Sequence, residues 1–215
     1  MPEKTRARRQ PLQARSRATV ERILLAAGEI VVAGGVEAAT MTAILASAEV
    51  SAASLYHFFA DREQIFDTLL ERELDELDRH VLAEQSRGTA ASLSDAVEQE
   101  LEALAQFHER HPLFLRLWFG GRISPAVIAK VQEYELGRAE AARKRLLDAG
   151  LVSAASFTTT DALLAVEVGD RVLDLAFRGR KRADRAILAK GAWMLCDYLE
   201  RETRAAQPAP RDSDS

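Results

Sequence analysis

Apolar residues recur every three or four positions along almost the whole chain, and no stretch alternates apolar with polar residues long enough to make a strand. Such spacing gathers apolar side chains on one stripe of a helix, so an all-α fold is expected. Val20, Ile23, Leu24, Ala27, Ile30 and Val31 form the first stripe, which Gly34 and Gly35 end. Past a loop containing Gly88, the spacing predicts helices near 93–110, 112–119, 124–149, 160–178 and 184–203. With 215 residues, 47% of them hydrophobic, the chain has enough apolar surface for a packed core. Charges such as Glu21, Arg22 and Glu29 break the longest apolar runs, so no bilayer span is expected, and the basic start has no apolar core behind it to make a leader. Cys196 is the only cysteine, which excludes an internal disulfide and fits a cytoplasmic location.

The segment "ATMTAILASAEV" at residues 39–50 reads as a short helix that Thr40 caps, with Met41, Ile44, Leu45 and Ala48 on its buried side. Ser51 is placed to cap another, running to Tyr56 or His57, and Asp61 to cap a fourth, with Gln64 at capping-box spacing. Two short helices joined by a tight turn make a helix-turn-helix, whose second helix presents its first turns to the DNA major groove. Ala52 and Ala53 are small enough for close approach and suit a thymine methyl, while Ser54, Tyr56 and His57 carry hydrogen-bonding tips. Tyr56 also admits a half-buried core role, and His57 a purely solvated one. Charge agrees with a polyanion partner at this end. Residues 1–22 hold seven basic side chains against Glu3 and Glu21, although the chain as a whole has a net charge of −4.

From Gly35 through Thr40, Ile44, Ala48, Val50, Ser51, Leu55, Tyr56 and Phe59 to Arg62, the text resembles the DNA-binding motif of the TetR family of transcriptional repressors. Glu49 stands where that family usually has a turn glycine, and Ala52 and Ala53 replace a common basic residue and glycine. The resemblance implies that Thr40 and Thr42 meet phosphate or a base edge, that Ser51, Ala52, Ala53, Ser54, Tyr56 and His57 form the recognition surface, and that Arg62 takes a phosphate. It also implies a homodimer on a double-stranded DNA operator and a second, helical domain for ligand binding and dimerisation. The expected divisions are a basic unstructured arm at 1–16, the DNA-binding domain at 17–62, the ligand and dimer domain at 63–204, and an unstructured tail at 205–215.

Aromatic residues concentrate between positions 100 and 175, which suggests a small, largely apolar effector there. The expected contacts are Phe107, Phe114, Trp118 and Tyr134, with His108, Glu167, Asp170 and Arg171 as polar groups that fix its orientation. Apolar residues on more than one face of the last two helices point to a dimer interface through Leu164, Val168, Val172, Leu188, Gly191, Leu195 and Leu199. The same residues would equally serve an intramolecular core. No enzyme and no cofactor are expected. In "FHERHP", His108 and His111 are three apart rather than four, with no further ligand in view, so no metal is expected. Gly120 and Gly121 lack the Lys and Ser or Thr of a phosphate loop. A helical adaptor without DNA binding is the competing reading, and it leaves the polar surface of residues 40–62 without a purpose.

Overall fold

The computed structural model describes residues 4–85, 88, 90–119 and 125–205. Among these are nine α-helices and no strand: α1 (Lys4–Gly34), α2 (Met41–Ala48), α3 (Ala52–Phe58), α4 (Arg62–Gln85), α5 (Leu93–Arg110), α6 (Pro112–Trp118), α7 (Pro125–Asp148), α8 (Thr159–Phe177) and α9 (Arg185–Ala205). The described residues of Met1–Glu76 and His111–Val127 make one compact unit, and those of Leu77–Arg110 and Ile128–Ser215 make another.

In the first unit, α1 packs against α2, α3 and α6. Ile23, Leu24, Ala27 and Val31 from α1 are buried, as are Ile44, Leu55, Phe59 and Ile65 from the segments that follow. Each large side chain among them contributes about 1.5–3 kcal/mol by leaving water. A β-carbon on Gly28 would lie 3.2 Å from Leu113 Cδ2, so the absence of a side chain there lets α6 seat against α1. Arg72 on α4 holds Glu21 on α1 through two hydrogen bonds of 2.7 Å. Helix α1 ends as the glycines predict, with Gly35 at φ 81° and its N–H bonded to Val31 O. Its start differs from expectation. The basic run at residues 4–16 is helical rather than unstructured, continuing α1 through Pro11. The expected tail lies, from residue 206 onward, outside the described residues.

The second unit comprises the end of α4 with α5, α7, α8 and α9. Helix α9 packs along both α8 and α5. At the α8–α9 seam a β-carbon on Gly191 would stand 2.3 Å from Val172 Cγ1, a separation no side chain tolerates. Thr158 and Asp161 form a reciprocal capping box at the start of α8.

The turn between α2 and α3 is built as its caps predict. Thr40 Oγ1 accepts from the Ala43 N–H at 3.1 Å, and Ser51 Oγ from the Ser54 N–H at 3.1 Å. Asp61 accepts from the Gln64 N–H at 2.9 Å to open α4. Glu49 ends α2 at φ 51°, ψ 44°, the left-handed region that its β-carbon disfavours. Glu49→Gly should therefore stabilise the protein by about 1 kcal/mol, read as a higher urea midpoint at an unchanged slope. A lower midpoint would mean that the Glu49 side chain makes a contact worth more than the strain.

Candidate functional site

Helix α3 shows two faces. Leu55 and, just beyond the helix, Phe59 are buried and fix its orientation, while Ser51, Ala52, Ala53, Tyr56 and His57 are exposed. Tyr56 is 57% exposed, which removes the core reading for it. The His57 ring stands edge-on to Phe58, 4.9 Å between centroids. Ser54 is half-buried, and its hydroxyl accepts a 2.9 Å bond from Ser51. Thr40 and Thr42 are exposed at the start of α2. One surface thus carries hydroxyls, an imidazole and a phenol beside two alanines that let a partner come close. Arg62 is placed differently: its side chain is only 20% exposed, 3.1 Å from Glu63 and 3.9 Å from Glu37, with the guanidinium 6.0 Å from the Phe66 ring. It reaches a phosphate only by giving up those carboxylates.

The second unit contains a cleft of about 1160 Å³ between α5, α7, α8 and α9. Its apolar wall includes Leu101, Leu104, Phe157, Val166, Leu195 and Leu199. The space exists because facing positions are small: Ala142 on α7, Ala162, Ala165 and Gly169 on α8, and Ala192 on α9. None of the eight residues expected to hold an effector is among its described lining. Phe107 is fully buried, and His108 beside it donates from Nδ1 to Leu104 O, 2.5 Å away, while packing on Phe177. Phe114 and Trp118 stack on each other in the first unit, centroids 5.2 Å apart. Arg171 is exposed and paired with Asp174. Large rings close space in a helical core, whereas a row of alanines and glycine leaves it open. That row is the signal the sequence offers for the cleft.

Beside the cleft, polar groups from three helices meet. Tyr134 donates to Asp78 on α4 at 2.7 Å, and burial raises its pKa. Arg138 Nη1 donates to Asp170 on α8 at 3.0 Å. Burial alone would pull the Arg138 pKa down, but the charges of Asp170, Tyr134 and Glu100 and the hydrogen bond to Asp170 together reverse this. Glu135 is pushed up to about 7, first by burial and then by the charge and hydrogen bond of Glu167. Of the eight expected effector residues, this cluster brings together Tyr134, Glu167 and Asp170.

The residues expected at a dimer interface divide. Val172, Leu188, Gly191, Leu195 and Leu199 are buried within the chain's own α8–α9 and α5–α9 packing, so they form its core. Leu164 remains exposed and Val168 half-buried. Helices α8 and α9 instead expose Leu175, Trp193 and Met194, with Trp193 at 69% and Met194 at 56%. No three His, Cys, Asp or Glu side chains among the described residues gather to hold a metal, and no described helix is long and apolar enough to cross a membrane.

A helix-turn-helix with an exposed polar face, in one chain with a helical unit that holds a cleft, is the architecture of a transcriptional regulator. Residues 23–69 match the model for bacterial regulatory proteins of the tetR family, and residues 91–203 that for the tetracyclin repressor-like C-terminal domain. The chain belongs to the TetR family, whose members are transcription factors rather than enzymes. Its fold is that of a TetR-family transcriptional regulator from Streptomyces coelicolor, with TM-score 0.65 and 23% identity, covering 85% of this chain and 98% of that one. PfmR, a TetR family transcriptional regulator from Thermus thermophilus, is similar at TM-score 0.53 and 21% identity over 85% of this chain and 94% of that one. A bacterial regulatory protein in the tetR family from Rhodococcus is similar at TM-score 0.54 and 19% identity, covering 87% of this chain and 96% of that one. No curated protein matches the chain in sequence.

The Glu135–Glu167 pair has a consequence for stability. Glu135 has an ordinary value of 4.5 and titrates in the fold at about 7. Below the lower value both states hold the proton. Between the two values the unfolded chain binds fewer protons than the folded one, so stability falls as pH rises through this window. Glu135→Gln should flatten that fall in the melting temperature. An unaltered pH profile in the variant would mean that Glu135 is not held above its ordinary value.

Proposed function

We propose that the protein is a repressor that binds a palindromic operator as a homodimer and leaves it when a small, largely apolar effector enters the cleft of the second unit. The exposed face of α3 carries this reading. On it, Ser51, Ala52, Ala53, Ser54, Tyr56 and His57 read the major groove, Thr40 and Thr42 approach phosphate or a base edge, and Arg62 exchanges Glu37 and Glu63 for a phosphate. The basic first turns of α1 add electrostatic attraction. His57→Ala should change the preferred base at one position, costing about 1–3 kcal/mol there, whereas Tyr56→Phe should weaken binding to all duplexes alike. Competition titrations with point-substituted duplexes read both effects. Equal binding of wild type and both variants to every duplex would remove α3 as the reading element.

Two recognition helices must lie roughly 34–36 Å apart to meet successive half-sites, which requires a second subunit. The apolar exposure at Leu164, Leu175, Trp193 and Met194 supports α8 and α9 as its docking face. Sedimentation should give a dimer at micromolar concentration. Trp193→Arg with Met194→Glu should give a folded monomer that has lost operator affinity, and a dimeric variant would exclude this face.

Release is coupled through α4. This single helix opens with Arg62 beside the recognition motif and ends with Glu84 and Gln85 on the cleft wall. An effector that displaces its last turns changes the helix that carries the DNA-binding motif. Moving from almost fully bound to almost fully released needs an effector preference of about 10⁴ between the two states.

A further inference from the structure

The donors of Arg138 are not all spent. A guanidinium has five N–H groups, two of them on Nη1. Nη1 donates to both oxygens of Asp170, at 3.0 and 3.3 Å. No described residue accepts from Nε or Nη2. The side chain is 13% exposed and Arg138 lines the cleft, and no fully buried side-chain nitrogen or oxygen among the described residues lacks a partner, so these remaining N–H groups keep access to space beside the chain. A donor facing a mostly apolar space gains most from an acceptor brought by a ligand.

Charge decides which acceptor. Asp170 already neutralises Arg138, and Glu100 lies close enough to act on the same guanidinium. The described lining carries six carboxylates against three guanidiniums. A carboxylate ligand would meet that excess at close range. A cation fares no better, because the deep polar group it would meet is Arg138. Five of these six carboxylates are engaged elsewhere: Glu100 accepts from Gln85 and Arg145, Glu102 from Gln106 and Arg185, Asp148 from Lys144, Asp95 from the Ala91 N–H and Glu98 from Ser94. The volume of about 1160 Å³ lies above the usual range for compact ligands, and its Leu, Phe and Ala walls suit an extended hydrocarbon.

We infer that the cleft selects an elongated, uncharged apolar molecule bearing a carbonyl oxygen, an ester or ketone, and seats that oxygen on Nε and Nη2 of Arg138. The inference rests on the cleft being the effector site. Its test compares three probes of one chain length, methyl decanoate, decanoate and decylammonium, by calorimetry on the full chain. Methyl decanoate should bind at least tenfold more tightly than either charged probe. Asp170→Asn keeps an acceptor for Nη1 while removing the neutralising charge, so it should raise decanoate affinity about tenfold and leave methyl decanoate unchanged. Arg138→Gln, with folding checked by its melting transition, should abolish the ester's advantage. Decanoate or decylammonium binding as well as the ester, or an Asp170→Asn variant with unchanged decanoate affinity, overturns the carbonyl assignment and leaves the cleft an effector site. If none of the three binds the wild type, the effector reading falls with it.

Discussion

The face proposed to read base edges is carried by one seven-residue helix that is too short to be stable alone. Its conformation is imposed from outside. Ser51 supplies an acceptor for an otherwise unbonded N–H, Leu55 is fully buried against the first unit, and Phe59 anchors the chain as it leaves. The turn before it forces Glu49 into a left-handed conformation that only those contacts make tolerable. With two sides held, Tyr56, His57 and the two alanines have one direction left in which to point.

The second unit solves a different problem, keeping space open in a helical core. Close contact is concentrated where Gly191 meets Val172, and the large rings of Phe107 and Phe157 are buried. Small residues face one another across the cleft, so the helices stand apart without a side chain to fill the gap. The polar groups at its edge are largely paired with one another, Tyr134 with Asp78, Arg145 with Glu100 and Arg138 with Asp170.

Much of the fold is legible in the sequence because helices announce themselves through spacing and caps. The stripe ending at Gly35, the caps at Thr40, Ser51 and Asp61, and the helices from 93 onward all follow from local chemistry. The basic start is less so, since its positive charge and Pro11 suggest a solvated arm while the run is helical. Sites that depend on three-dimensional packing are harder still. Leu188, Leu195 and Leu199 carry the same periodicity whether they face a second subunit or their own neighbours, and here they face their neighbours. Phe107 and Phe114 look like lining in the sequence yet fill the core, Phe157 does line the cleft, and Ala165 and Gly169 pass unnoticed. Exposed side chains on a short capped helix, by contrast, need no long-range information, and the exposure of Ser51, Ala52, Ala53, Tyr56 and His57 is readable residue by residue.

The central claim is that α3 of two subunits reads one twofold-symmetric DNA site. Selection from random duplexes by the purified full chain, followed by sequencing, tests it most directly. An enriched palindrome is expected, its half-site centres separated by about 10–10.5 base pairs or a multiple of it. Recovery of no enriched sequence, or of a single unpaired half-site, would contradict it.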